Sequence, residues 1–316
     1  MTSNNHIFIR ILPLLFVLFL FMPATTQAQQ TDLSLQEYQL RTLLDSTRHE
    51  RNDSTRIKIN EAFYTLLNNT LQDNMAVSWS FDSLLIGKPT SDDGNIRIFN
   101  WNIQQNNGSN IYCMIIQRLD SNKVIALKSQ PSLPLLNEDQ IFTKGDWPGG
   151  LIYRIISRVE AEQPFYTLLS WDGVNRNTFR KTIDALSFDE AGMPLFGAPV
   201  FKTKEGTMHR VVFEYSSESS FTLTYDRQKI TLSNVRKSQS KINDEMIVMD
   251  RLVPLNESLI GERWAYVPAG NIYDAYVFFD QYWTYVEDIA PRNEASPKKD
   301  QPKSKKVEYD LFPKDR

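Results

Sequence analysis

Hydrophobic and polar positions follow a helical period near the N-terminus of the chain. Residues 34–37 (Ser-Leu-Gln-Glu) have the form of a capping box, in which the Ser and Glu side chains bond free backbone N–H groups of a first helical turn. They predict an amphipathic helix from Ser34 to about His49. Apolar side chains then recur at three- and four-residue spacing between Thr55 and Leu71, which predicts a second helix and an antiparallel helical hairpin.

From about residue 96 the period changes to that of strands. Short runs rich in β-branched and aromatic residues alternate with turn residues, which is typical of antiparallel sheet. Asn107-Gly108 between two such runs is a strong hairpin signal, because both residues tolerate the positive φ angles of a tight turn. The predicted strands are Ile96–Gln105, Ile111–Leu119, Lys123–Lys128, Leu151–Val159, Phe165–Trp171, Lys181–Phe188, Leu195–Phe201, Val211–Tyr215, Phe221–Tyr225, Ile230–Val235, Met246–Met249, Trp264–Val267, Tyr273–Phe279 and Trp283–Glu287.

These elements indicate a mainly β fold. No long helical pattern separates the strands, so no parallel βαβ unit is predicted, and the strands are too many for one small barrel. We expect a large antiparallel sheet assembly, made of two packed or curled sheets, with an N-terminal helical hairpin packed on it. The predicted organisation is a signal peptide at 1–28, the helical hairpin at 29–75, the antiparallel β domain at 76–290 and a disordered basic tail at 291–316.

The first 28 residues have the layout of a secretory signal peptide. Arg10 supplies a weakly basic start, residues 11–22 form an apolar core interrupted by Pro13, and residues 26–28 (Thr-Gln-Ala) offer small side chains to a signal peptidase. The core is shorter than the about 20 apolar residues of a spanning helix, which disfavours the alternative of an uncleaved anchor. No Cys follows the core for lipid attachment, and no later segment approaches spanning length. We expect a periplasmic or secreted protein, cleaved after Ala28.

Charge is distributed unevenly between the body of the chain and its tail. The formal net charge is −3, and the tail from Pro291 holds eight basic and five acidic side chains. After loss of Arg10 with the leader, about −7 remains on residues 29–290. An acidic body argues against nucleic acid as the main partner. The tail lysines are expected to be solvated, with docking to an anionic envelope component as the alternative.

Side chains for nucleophilic or metal chemistry are scarce. Cys113, the one cysteine, lies in an apolar strand and is expected to be a buried core thiol. After the leader only His49 and His209 remain, without a nucleophile motif, which disfavours a serine or cysteine hydrolase and a zinc site. Residues 92–95 (Asp-Asp-Gly-Asn) and 189–190 (Asp-Glu) are calcium candidates, but ordinary turns are the favoured interpretation. No metal site and no cofactor is predicted.

Residues 171–178 form the densest polar and aromatic segment, and they join two predicted strands. Trp171 offers an apolar face, and Asp172, Asn175 and Asn177 offer polar groups, so the loop is the candidate binding site for a sugar or a peptide. The alternative, which we favour, is a long hairpin whose Asn and Asp side chains satisfy their own backbone.

A series of short motifs also occurs in fixed order along the chain. The motifs are Phe99-Asn-Trp-Asn102, Trp147-x-Gly-x-Leu-Ile-Tyr153, Tyr166-Thr-Leu-Leu-Ser-Trp-Asp-Gly173, Lys181-x-Ile-Asp-x-Leu-x-Phe-Asp189, Gly192-x-Pro-x-Phe-Gly-Ala-Pro-Val-Phe201, Arg210-Val-Val-Phe-Glu-Tyr-Ser216, Leu223-Thr-Tyr-Asp226 and Tyr285-Val-Glu-Asp288. Over residues 33–292 the series resembles an uncharacterised family of exported proteins from Bacteroidetes-type bacteria. The resemblance implies export and a Gram-negative source, and it carries no site residues. One departure is Val174-Asn-Arg-Asn177, where that family has an Asn-rich loop.

Two functions remain open on the sequence. The first is a non-catalytic binding or structural component of the cell envelope, with a glycan or another envelope component as partner. The alternative is a secreted glycan-active hydrolase that uses a carboxylate pair, for which Asp172, Asp184 and Glu214 are candidates. A cleft with two carboxyl groups about 5–10 Å apart, flanked by aromatic side chains, would favour the hydrolase.

The predicted signal peptide can be tested by following export and cleavage of the chain. Expressed in a Gram-negative host, the chain is expected in the periplasm or the medium with Gln29 as its first residue, as read by N-terminal sequencing. Ala28→Asp should block cleavage, because a signal peptidase requires a small residue at that position. A chain that keeps Met1 and stays in the cytoplasm would contradict the export hypothesis.

Overall fold

The computed structural model describes residues 23–129, 136–231 and 241–289. Residues 1–22 of the predicted signal peptide and the predicted tail at 291–316 lie outside these ranges. None of the described helices is long and apolar enough to cross a membrane. The elements are α1 (Pro23–His49), α2 (Asp53–Thr70), β1 (Ile96–Gln104), β2 (Asn110–Arg118), β3 (Lys123–Lys128), β4 (Leu151–Arg158), β5 (Phe165–Asp172), β6 (Thr178–Phe188), β7 (Pro194–Phe196), β8 (Phe201–Lys202), β9 (Thr207–Met208), β10 (Arg210–Ser216), β11 (Leu223–Thr231), β12 (Lys241–Pro254), β13 (Tyr266–Phe279) and β14 (Tyr282–Ile289), with short 3-10 helices at Asn74–Val77, Glu257–Leu259 and Arg263–Ala265.

The strands form three sheets. Sheet A has the order β1-β2-β3, sheet B has the order β10-β6-β5-β4 with β7 also on β6, and sheet C has the order β11-β12-β13-β14-β8-β9. Every pairing within them is antiparallel except that of β8 with β14, which is parallel. The exception arises where Gly197, at φ +99°, ends β7 and lets the chain pass from sheet B to sheet C.

Helices and sheets stack in the order helices, sheet A, sheet B, sheet C. The helices contribute Phe63 and Leu67 to a core shared with Phe99 and Cys113 of sheet A. The opposite face of sheet A packs on sheet B, and their shared core includes Ile98, Met114, Ile155 and Leu168. The second face of sheet B packs on sheet C, and that core includes Leu169, Ile183, Ile247 and Trp283. Sheet B is therefore buried on both faces, which makes it the centre of the molecule.

The predicted fold class is confirmed: the chain is mainly antiparallel β with two N-terminal helices. Where the strand pattern predicts two packed or curled sheets, the structure has three. The difference lies in β5 and β6, whose successive residues are buried rather than alternately exposed. A strand with apolar side chains on both faces must be covered on both faces, so a central sheet needs two partner layers.

The predicted helix start at Ser34 is wrong, because α1 already runs from Pro23 through that residue. The Glu37 carboxylate does not cap the helix. It accepts hydrogen bonds from Trp79 Nε1 at 2.7 Å and from the Ser83 backbone N–H at 2.7 Å. The second helix begins near the predicted position, where the Asn52 side chain accepts from the Thr55 N–H.

Several strand boundaries also differ from the prediction. The predicted strands Phe221–Tyr225 and Ile230–Val235 are not separate, because Leu223–Thr231 is one continuous strand paired with β12. Trp264 lies in a 3-10 helix rather than in a strand, and β13 starts at Tyr266. The polar residues 226–229 (Asp-Arg-Gln-Lys) interrupt the apolar pattern in the sequence, but in sheet C they pair with β12.

Candidate functional site

A cleft of about 550 Å³ lies between the β10 edge of sheet B and strands β12 to β14 of sheet C. We call it the acidic cleft. Its lining includes the carboxylates of Glu138, Glu214, Asp250 and Asp274, the guanidinium groups of Arg251 and Arg263, and the aromatic rings of Phe213, Tyr266 and Tyr285. A cavity of this size with a few fixed polar groups is typical of a ligand site.

Glu214 is held on both carboxylate oxygens. Its Oε1 accepts from Arg180 Nε at 2.9 Å and Nη2 at 2.7 Å, because Arg180 on β6 is its cross-strand partner. Its Oε2 lies 2.6 Å from Arg263 Nη1, on the 3-10 helix that borders the cleft. The pair with Arg180, in which two N–H groups bond one carboxylate oxygen, is nearly fully buried, so the carboxylate has a fixed position.

Asp274 accepts four hydrogen bonds from three residues of sheet C. Arg251 donates through Nε and Nη2, Tyr285 donates through its hydroxyl at 2.7 Å, and the Asp288 backbone N–H donates at 2.9 Å. Burial on its own would raise the pKa of Asp274, but these hydrogen bonds outweigh it and leave the pKa below the usual range. The carboxylate is therefore ionised at neutral pH, and both of its oxygens already accept hydrogen bonds from the protein.

Glu138 and Asp250 differ from the other two carboxylates because neither forms a salt bridge with any described residue. Glu138 Oε1 accepts from the Val212 N–H at 3.0 Å, and Asp250 Oδ2 accepts from the Thr222 N–H at 2.6 Å. Burial raises the pKa of Glu138 above its usual value. With four carboxylates and two guanidinium groups in its lining, the cleft carries net negative charge.

The sequence-predicted loop at residues 171–178 does not line this cleft. Asp172 is buried, and its carboxylate accepts from the Tyr112 hydroxyl at 2.7 Å and from Arg180 Nη1 at 3.2 Å. Burial raises the pKa of Asp172, while the hydrogen bond from Tyr112 and the charge of Arg180 oppose that rise. Trp171 packs edge-on against Phe179, with ring centroids 5.2 Å apart.

The two amides of the loop are both exposed and differ in their hydrogen bonds. Asn175 Oδ1 accepts from the N–H groups of Asn177 and Thr178 at 2.8 and 3.0 Å, which closes the turn. The Asn177 side chain is exposed, and its backbone carbonyl accepts from the Ser217 N–H. Asn175 thus satisfies backbone groups of its own turn, whereas Asp172 bonds side chains of β2 and β6.

Two of the three candidate carboxylates for hydrolysis meet at one guanidinium. Asp172 and Glu214 both bond Arg180, whereas Asp184 lies elsewhere and pairs with buried Arg210 at 3.2 Å. Only Glu214 faces the acidic cleft. The carboxylates that sequence reasoning missed are Glu138, Asp250 and Asp274. In the sequence, the one sign of these cleft carboxylates is Asp250-Arg251, a pair of charged residues directly after an apolar run.

The remaining candidates have structural roles in the described part of the chain. Cys113 is buried as predicted, and burial raises the pKa of its thiol to about 11, which disfavours a thiolate nucleophile. Asp93 accepts from Ser91 and Asn95 within its own turn, as the turn interpretation expects. No group of three or more His, Cys, Asp or Glu residues with metal-binding geometry occurs among the described residues.

No protein-family model, curated protein or solved structure matches the chain. The resemblance to exported proteins of Bacteroidetes-type bacteria therefore stays a prediction.

The loop offers a matched pair of substitutions. Asn175→Ala removes the acceptor of two backbone N–H groups and is expected to lower the free energy of unfolding by about 0.5–1.5 kcal/mol. Asn177→Ala, two residues away and equally exposed, should change it by less than about 0.5 kcal/mol, because that side chain forms no hydrogen bond with a described residue. Urea denaturation measures both. Equal effects of the two substitutions would contradict the structural role of Asn175.

Proposed function

We propose that the protein is an exported, non-catalytic binding protein of the cell envelope, and that the acidic cleft binds its ligand. The observation that carries the proposal is the combination of fixed carboxylate–guanidinium pairs with aromatic rings in one cavity of about 550 Å³. Such pairs present hydrogen-bonding groups in a defined geometry, and the rings supply apolar contact area.

The arginine pairs favour binding over catalysis. A glycosidase nucleophile needs a free carboxylate oxygen, and a general acid needs a proton at neutral pH. Both oxygens of Glu214 and of Asp274 already accept hydrogen bonds from donors of the protein. They are therefore suited to orient Arg251 and Arg263 for recognition.

A glycan is the ligand class that this lining fits best. Sugar rings stack their apolar faces on aromatic side chains, and their hydroxyl groups bond carboxylates and guanidinium groups. Phe213, Tyr266 and Tyr285 supply the rings, while Glu138 and Asp250 supply carboxylates without an ion-pair partner in the described structure. The export part of the proposal is supported by the leader sequence and by the family resemblance.

One observation supports a glycan-active hydrolase as the second candidate. Glu138, whose pKa is raised by burial, and Asp250 line the same cleft. Glycoside hydrolysis uses two carboxyl groups in one cleft, with the pKa of one of them raised by its surroundings.

A glycan array on the mature chain, residues 29–316, tests the proposal. The double substitution Glu138→Gln with Asp250→Asn keeps the side-chain shapes and removes both charges, and it is expected to weaken glycan binding at least tenfold. Trp171→Ala, outside the cleft, is the control and should bind like the wild type. Binding lost in the control alone, or an array without any bound glycan, would contradict the proposal.

The same samples distinguish the two candidate functions. Incubation of each bound glycan with wild-type protein should release no new reducing ends. If reducing ends appear with the wild type and not with Glu138→Gln, hydrolysis replaces binding as the function of the cleft.

A further inference from the structure

A second cavity, of about 460 Å³, lies on the other side of the molecule between α1, the segment 85–89, β1 and β4. We call it the helix-side pocket. Its walls are mostly apolar and include Leu44, Ile86, Trp101 and Leu151. Leu85, also in the lining, is 72% exposed, so the pocket leaves apolar surface in contact with water. Covering that surface with an apolar ligand group would be favourable.

The charged side chains of this pocket are all cations. Arg48 and Lys88 belong to the lining, and no Asp or Glu does. This composition is the reverse of that of the acidic cleft, and it stands out in a chain body that carries about −7. Charge complementarity therefore selects an anionic ligand for the pocket.

Hydrogen bonds to backbone carbonyls position both cations, and each cation keeps N–H donors for a ligand. Arg48 Nη2 donates to the Leu85 carbonyl, and its other N–H groups have no partner among the described residues. Lys88 Nζ donates to the carbonyls of Phe81 and Leu84, which leaves one of its three N–H donors. Burial lowers the pKa of Lys88, the carboxylates of Asp82 and Glu37 oppose that effect, and a bound anion would add to this opposition.

The neutral polar groups of the pocket are already engaged. The Asn100 amide exchanges hydrogen bonds with the backbone of Ile152, donating at 3.1 Å and accepting at 2.9 Å. Asn102 donates to the Asn110 side chain at 2.8 Å. Arg48 and Lys88 are thus the charged groups of the lining that offer polar recognition.

We propose that the helix-side pocket binds a carboxylic acid with an aliphatic chain. The carboxylate is held by Arg48 and Lys88, and the chain lies against Leu44, Ile86 and Trp101. The inference is independent of the acidic cleft and of the proposed glycan ligand.

Calorimetric titration of the mature chain with dodecanoate, dodecan-1-ol and dodecylamine, each below its micelle concentration, tests the proposal. Dodecanoate is expected to bind with one molecule per chain, at least tenfold more tightly than the alcohol or the amine. Arg48→Glu should weaken dodecanoate binding at least tenfold. Arg41→Glu on the same helix is the matched control, because Arg41 is exposed outside the pocket lining.

Three outcomes would overturn the proposal: equal affinity for the three probes, unchanged binding by Arg48→Glu, or no binding by the wild type. Circular dichroism of each variant verifies folding, and Arg48 is an exposed residue whose replacement leaves the core intact. The charge-neutralised cleft variant should bind dodecanoate like the wild type, which separates the two sites.

Discussion

Two arginines buried in the central sheet are the constraint on which the rest of the structure depends. Sheet B is covered on both faces, yet Arg180 and Arg210 are at most 3% exposed within it. A buried guanidinium costs several kcal/mol unless acceptors surround it. Arg210 bonds Asp184 and the carbonyls of Asn137, Gln140 and Phe196, while Arg180 bonds Asp172 and Glu214. These hydrogen bonds fix the segment around Asn137 and Gln140, together with Leu136 and Phe142 in the apolar core.

The acidic cleft follows from this constraint. Because Arg210 holds the segment around Asn137 and Gln140 against sheet B, Glu138 is carried to the rim of the cleft. Because Arg180 holds Glu214 from within the sheet, the outer oxygen of that carboxylate is available to Arg263 on the neighbouring 3-10 helix. The lining of the cleft is therefore positioned by polar contacts that begin within the sheet.

The sequence was a good guide to the elements and a poor guide to the cleft. Strand runs such as Phe165–Trp171 and the Asn107-Gly108 hairpin carry their signal locally, in side-chain period and turn chemistry. The cleft joins Glu138, Glu214 and Asp274, which are far apart in the chain and meet only through sheet order and register. The loop at Trp171 was noticed because its polar residues are consecutive, and that clustering turned out to reflect turn formation around Asn175.

A comparison of Arg210→Met with Arg154→Met by urea unfolding tests most directly the claim that buried arginines hold the structure in place. Both changes replace an arginine by an apolar side chain, but Arg154 lies on the surface in an exposed pair with Asp92. Loss of Arg210 leaves the carbonyls of Asn137 and Gln140 without this donor and removes the ion pair of buried Asp184, and it is expected to lower the free energy of unfolding by about 3–5 kcal/mol. Loss of Arg154 should cost less than about 1 kcal/mol. Equal unfolding free energies for the two variants would contradict the claim that buried arginines of the central sheet hold the structure in place.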